Sequence, residues 1–525
     1  MLLIPFLRLA VLRGTAALIA ASLVVSCATS SEPSQTTQGQ SAATAADVNI
    51  ERVVLQAYRA IGDRHLYEPN FRTLSADTYR GFASSDPTLS LETSDAVYTV
   101  KRDGRQVISR PTPSDPADGR AWGAMLAELL AGSMDASPVL RQSDRQALIR
   151  GALTATARDL DRNTRYADPE EARDNRFQRD GGGGVGITVE RTEDKMILIR
   201  GVQAGAPAAK AGVQVGDQIL AIDGESMVNR TLSDVVERLR GPVGAPVVLT
   251  VLRNGAAEYA LSVKRGKIIP TTVTYERRGD VALIHLTGFN SATTANLKAA
   301  MDKARADIGR DMAGVIIDMR SNRGGLLDQA QSVSELFIGD GTIFSTAGRH
   351  PDSRRIYKSS GGTATDEPIV VLMNGGSASA AEIVAAALQD RGRALIVGTT
   401  SYGKGTVQTV VRLSNEGELI LTWSRLQAPS GYTWNELGVL PNVCTAKVAN
   451  ADNLGPTSFD TSQGTLMRWH ALRNPTHQEV ETLRKICPPG DSSPEADVTL
   501  ATRILHDRAL YAHAVQAATQ QAAAR

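Results

Sequence analysis

A chain of 525 residues is too long for one hydrophobic core, so several domains are expected. Its 57 basic residues balance 56 acidic ones and form no basic stripe, which sets nucleic acid aside as a partner. It has no CxxC, HExxH or histidine cluster, so neither a metal nor any other cofactor is expected.

The first residues read as a targeting segment. Arg8 and Arg13 precede the apolar run GTAALIAASLVV, which is short for a membrane-spanning helix. It ends in Val24-Val25-Ser26-Cys27, which resembles a bacterial lipobox. Residues 1–27 are therefore expected to be a lipoprotein signal peptide, with Cys27 lipidated as the first mature residue. A Ser/Thr/Gln-rich tether, 28–46, favours this over an ordinary secretory signal with an incidental cysteine. The expected location is the periplasm, lipid-anchored to a bacterial membrane. Ala28 and Thr29 stand where an aspartate would favour inner-membrane retention, so the reading leans to the outer membrane.

Residues 47–180 read as a helical N-terminal domain. VNIERVVLQAYRAI places Val53, Val54, Ala57 and Ile61 at helical spacing, and AWGAMLAELLAG and SDRQALIRGALTATARDL are further helices, the last capped at Ser143/Asp144. A polar stretch, 84–120, interrupts them with a strand pair turning at Asp103-Gly104.

Residues 181–266 resemble a PDZ domain, β-rich with two helices. The run PAAKAGVQVGDQILAIDG matches the bacterial PDZ signature, and TLSDVVERLRG is a helix opened by Thr231. Such domains add a peptide as an extra strand and hold its terminal carboxylate on backbone amides. Gly184, Val185, Gly186 and Ile187 are the candidate carboxylate loop; Gly181 to Gly183 can also be read as a plain linker.

Residues 267–445 carry the candidate chemistry. PIVVLM is a buried strand broken by Asn374-Gly375-Gly376, and a helix follows with Ile383, Val384, Ala387 and Leu388 at helical spacing and Glu382 in its first turn. A serine at such a corner sits beside free helix N–H groups, which can hold an oxyanion. RALIVG is the next strand, followed by SYGKG and the strand TVQTVVRL. A strand starting at Lys404 would put Lys404 and Gln408 on one face. No acid lies between Gly398 and Val411, so a buried Lys404 can be neutral and act as a base, with the Gln408 amide orienting it. The strand AGVIIDMR leads into SNRGGLL, where paired glycines allow close backbone approach, so the Gly325 and Ala380 amides are candidate oxyanion donors. His285, in an apolar strand, reads as a core histidine rather than a triad member.

Three linked motifs, DMRSNRGG from Asp318, SASAAE from Ser377 and GKGTVQ from Gly403, resemble those of the carboxyl-terminal processing (tail-specific) serine peptidases. The resemblance covers roughly residues 160–445 and departs from many members at Ala381, where they carry a second serine. It implies a mixed α/β spiral core, Ser379 rather than Ser377 as nucleophile, Lys404 as general base, Gln408 as its orienter, and Gly325 and Ala380 as the oxyanion hole. It also makes DLDRNTRYADPEE the lead-in to the PDZ domain, and matches Arg240 to a position that signals from that domain to the active site, although an arginine at a helix end is ordinarily solvated.

Residues 446–525 end in an Ala-rich helical region, similar to the helical tail of many family members, which could serve as an oligomerisation arm. Outside the cytoplasm Cys444 and Cys487 form a candidate disulfide, two separate thiols being the alternative. The expectation is thus a multidomain α/β, ATP-independent periplasmic endopeptidase acting on protein or peptide substrates with exposed C-termini, a homo-oligomer open to an adaptor protein. Two alternatives stay open: a PDZ-containing binding lipoprotein with a non-catalytic scaffold, and an acyl hydrolase of related spiral fold acting on a thioester.

Overall fold

A computed structural model describes residues 48–255, 257–446, 456–472, 475–490 and 493–523. The expected signal peptide, Cys27 and the tether lie outside the described residues. Among those described, no helix is long and apolar enough to cross a membrane.

The N-terminal helices form where their caps and apolar stripes place them. Ile50–Arg64 starts at Asn49, whose side chain accepts from the Arg52 N–H, and buries Val53, Val54, Ala57 and Ile61. Arg145–Leu160 starts at Asp144, which accepts from the N–H groups of Gln146 and Ala147. The hairpin of Val97–Arg102 and Arg105–Pro111 turns with positive φ at Asp103 and Gly104. A third strand, Leu89–Thr93, pairs on its other side. Its LSLET sequence carries too few apolar residues to stand out from the polar stretch around it.

The next unit is a twisted antiparallel sheet whose inner face buries Ile197, Ile199, Ile219, Leu249 and Val251 against Val235 and Leu239 of the helix Leu232–Leu239. Thr231 and Asp234 cap that helix reciprocally. The glycine run is no plain linker. Gly182–Gly184 pairs with Gly266–Ile268, tying the unit's two ends together, and a Cβ on Gly183 would lie 1.9 Å from the Gly241 carbonyl oxygen.

The core of the molecule is a six-stranded sheet. Val273–Arg278 runs antiparallel to Val281–Leu286; then Gly314–Asp318, Ile369–Met373, Ala394–Gly398 and Val443–Cys444 follow in parallel order. The four inner strands are apolar on both faces, as parallel strands between two layers must be, while the edge strand Val273–Arg278 is largely polar. Alternate residues divide cleanly. Ile284, Ile317, Val371 and Ile396 meet the layer that includes Thr293–Ile308, Leu327–Glu335 and Ala380–Asp390. Leu283, Ile316, Val370 and Leu395 meet Val498, Ala501, Ile504 and Leu505 of Pro494–His506. The C-terminal helices are therefore a layer of the core and not a free arm.

A second sheet orders Arg355–Ser360, Asp340–Ala347, Glu418–Gln427 and Thr406–Arg412. The N-terminal region reaches into it through Arg165–Ala167, which pairs with Glu418–Ile420.

Cys444 and Cys487 form a disulfide across Cα atoms 5.9 Å apart, fastening the last strand of the central sheet to the helical region after it. Closing a loop of this length removes about 4 kcal/mol of denatured-state entropy. Replacing both cysteines by alanine is expected to lower unfolding free energy by several kcal/mol in denaturant titrations, with reductant then having no further effect.

Candidate active site

The serine corner is set by the residues that leave the strand Ile369–Met373. The Asn374 side-chain oxygen Oδ1 accepts from the N–H groups of Gly376 at 3.0 Å and Ser321 at 2.8 Å. Ser377 is fully buried, and its hydroxyl donates to the Met319 carbonyl at 2.8 Å. That serine holds the corner in place. Ser379, half-buried at the cap of Ala380–Asp390, takes φ 56° and ψ −115°, a strained conformation for a residue with a Cβ.

Glu382 supplies the restraint. It has no solvent exposure, yet its carboxylate accepts four hydrogen bonds. Oε2 takes the N–H of Ser379 at 2.7 Å and that of Lys404 at 2.9 Å. Oε1 takes the Gly403 N–H at 2.7 Å and the Ser401 hydroxyl at 2.5 Å. One oxygen thus fixes the backbones of both residues. Burial pushes the Glu382 carboxyl above its ordinary range, and the four donors oppose that shift.

Lys404 sits in a turn that only glycines permit. A Cβ on Gly405 would lie 2.5 Å from the Asn435 nitrogen, and one on Gly403, where φ is 93°, would lie 2.9 Å from the Glu436 carbonyl. Burial pushes the Lys404 amine below its ordinary range, and the positive charge of Arg165 pushes the same way. Glu382 and Asp161 pull it back up. The segment between Gly398 and Val411 holds no acid, but the fold brings these two from elsewhere; the downward shift prevails because the amine is mostly desolvated.

The placement of Gln408 differs from expectation. The strand begins at Thr406, two residues after Lys404, and its register slips between Val407 and Gln408. Strand alternation therefore does not give Lys404 and Gln408 a shared face. The Gln408 amide donates to the hydroxyls of Thr406 at 3.0 Å and Thr422 at 3.4 Å. Among the described residues no hydrogen bond joins the Lys404 amine to Gln408 or to the Ser379 hydroxyl.

The paired glycines lie against the serine corner. Asn322 accepts from the Gly324 N–H through Oδ1 and from the Ala378 N–H through its carbonyl, each at 2.8 Å. A Cβ on Gly324 would lie 2.8 Å from both the Ala380 nitrogen and the Ser379 Cβ, and one on Gly325, at φ 150°, would lie 2.0 Å from the Phe289 carbonyl oxygen. The Gly325 and Ala380 N–H groups have no acceptor among the described residues. Ala380 thus offers a free amide donor next to Ser379 and Gly325 a second one next to the glycine that touches the corner, donors of the kind that can stabilise an oxyanion. His285 is not a core residue: its ring is partly exposed, with Nδ1 3.3 Å from the Asp318 carboxylate.

Away from this corner, Gly184, Val185, Gly186, Ile187 and Arg240 all line one groove of about 480 Å³ beside Leu232–Leu239. Arg240 is not simply solvated. Its guanidinium stacks over Phe177 at 4.1 Å and pairs with Asp174, both on the helix Pro169–Asp180.

Among the described residues no group of three or more His, Cys, Asp or Glu could hold a metal ion. The role of Glu382 as a shared acceptor was not legible from sequence, where it reads only as a helix-start acid; its one signal was an acid three residues after Ser379 in an otherwise apolar helix start.

The sequence pattern of Peptidase family S41 matches residues 280–445, and that of the PDZ domain matches residues 198–253. The chain is 41% identical to the carboxy-terminal-processing protease of Bartonella bacilliformis over 304 residues, which is 57% of this chain and 70% of that protein. It is 31% identical to the carboxy-terminal processing protease CtpA of Bacillus subtilis over 58% of this chain and 66% of that one. Among solved structures, the photosystem II D1 C-terminal processing protease aligns at 24% identity with a TM-score of 0.39, covering 75% of this chain and 93% of its own.

Glu382→Ala is expected to cost at least about 3 kcal/mol, because three buried N–H groups and a hydroxyl lose their acceptor. Urea unfolding measures this; a loss under about 1 kcal/mol would show that the corner stands without the carboxylate.

Proposed function

The chain belongs to peptidase family S41, and from that premise we propose that it is an ATP-independent serine endopeptidase that recognises C-terminal tails and cuts with a Ser-Lys dyad. A single observation carries the reading: one buried carboxylate oxygen holds the backbones of Ser379 and Lys404 together beside two unpaired amides.

In this reading the PDZ domain takes the substrate tail as an added strand, its terminal carboxylate meeting the Gly184–Ile187 loop with Arg240 on the groove wall. Ser379 Oγ attacks a peptide carbonyl. Neutral Lys404 accepts the hydroxyl proton and returns it to the leaving amine, and water then cleaves the acyl-enzyme with Lys404 again as base. The Gly325 and Ala380 amides receive the oxyanion, and Gln408 orients the amine. The protein works in the periplasm, lipid-anchored through Cys27 and leaning to the outer membrane, as a homo-oligomer open to an adaptor.

Ser379→Ala is expected to cut cleavage of β-casein at least about a thousandfold while leaving the fold intact; turnover by this variant would overturn the assignment and leave a binding role. Lys404→Arg is expected to be equally inactive, since a guanidinium stays protonated. Because the base must be neutral and its proton affinity is lowered by burial, kcat/KM should rise with pH through a midpoint below the ordinary lysine range and fall on the acid side as the amine is protonated.

A further inference from the structure

We propose that Asp161, in the loop that ends the N-terminal helices, is a positioning residue that fixes which way the Gln408 amide faces and so leaves its carbonyl oxygen for the Lys404 amine. The proposal rests on the dyad reading given above.

Asp161 follows the helix Arg145–Leu160, far from the dyad in sequence, yet its side chain, 15% exposed, meets the lysine strand's partner. Oδ1 accepts from the N–H groups of Asn163 at 2.7 Å and Thr164 at 3.0 Å and from the Thr422 hydroxyl at 3.0 Å. Oδ2 accepts from the Thr164 hydroxyl at 2.5 Å and from His65 Nε2 at 2.9 Å. Burial pushes this carboxyl up, but the hydrogen bonds outweigh it and hold the group well below the usual carboxylate range. Asp161 is therefore an ionised carboxylate that only accepts.

A hydroxyl carries one proton. Thr422 spends its proton on Asp161, so towards Gln408, its cross-strand neighbour, it can only accept. The amide consequently turns its NH2 to the threonines, one proton to Thr422 at 3.4 Å and the other to Thr406 at 3.0 Å. Thr406 also accepts from the Asn163 side-chain amide of the same loop, at 3.2 Å. Both amide protons are then assigned, and Gln408 Oε1 has no donor among the described residues. That oxygen can take an N–H of the amine and aim the lone pair of Lys404 elsewhere, without supplying the negative charge that would keep the amine protonated. The remaining charged groups acting on the amine are Arg165, Glu382 and Asp161 itself.

Asparagine at 161 would keep its oxygen on the Asn163 and Thr164 N–H groups and still take the Thr422 proton, so it should leave the amide as it is. Replacing Asp161 by alanine removes that acceptor, which frees the Thr422 proton to face Gln408 and reverses the amide. With β-casein as substrate, Asp161→Ala is expected to lower kcat about tenfold or more with KM within about twofold. Gln408→Ala should give a comparable loss, and the double variant should be no slower than either single one, because both act through one amide. Thr422→Val should reproduce the loss and Thr422→Ser should restore activity, a comparison that holds even if Asp161→Ala does not fold. Losses that multiply in the double variant, or wild-type kcat in a folded Asp161→Ala or in Thr422→Val, overturn the proposal while Ser379→Ala remains inactive. Turnover by Ser379→Ala instead overturns the dyad reading from which it starts.

Discussion

One acid without solvent organises the centre of this protein. Glu382 lies inside a helix whose other residues are all buried, and its charge is balanced by hydrogen-bond donors. A lone carboxylate there would be costly. With three backbone N–H groups and a hydroxyl directed at it, the same group becomes a joint between the helix leaving the central sheet and the turn entering the second sheet. The strained backbone of Ser379 persists because the side chain that restrains it also fixes the Gly-bracketed turn at Lys404.

The rest of the fold brings those two sheets together. Parallel strands with apolar residues on both faces require two covering layers, so the chain continues past the lysine turn into helices that close the back of the central sheet. From the other end, the N-terminal region contributes a strand to the second sheet and a polar loop beside the lysine. A long-range pair, Arg176 and Arg179 on the buried Glu418, holds the connecting helix Pro169–Asp180 to the strand Glu418–Gln427, while Phe177 and Asp174 of that helix meet Arg240. The groove and the strand that pairs with the lysine strand thus share the helix Pro169–Asp180 as a neighbour.

Much of this was legible in the sequence where local physics decides the outcome. Helices with capped starts, the Asp103-Gly104 hairpin, and apolar strands bounded by glycines all come from short-range rules, and the motifs around Ser379, Lys404 and Gly325 carried the family. What escaped was set by residues distant in sequence. The acids facing Lys404 come from positions 161 and 382, the cross-strand partner of Gln408 is Thr422, and the surroundings of Arg240 come from a preceding helix. The strand starts at Thr406, two residues after Lys404, so the simple alternation of faces never reached the lysine. The covering role of the last helices was hidden for the same reason, since an Ala-rich amphipathic segment has the same pattern whether its apolar side meets its own sheet or another molecule.

That last layer has a consequence for biosynthesis. The central sheet keeps Val281, Leu283, Ile316 and Val370 wet on one side until Val498 and Leu505 arrive from the far end of the chain. A chain emerging N-terminus first cannot bury that face until Val498 to Leu505 have followed, so the sheet from which the serine corner leaves is closed late in synthesis.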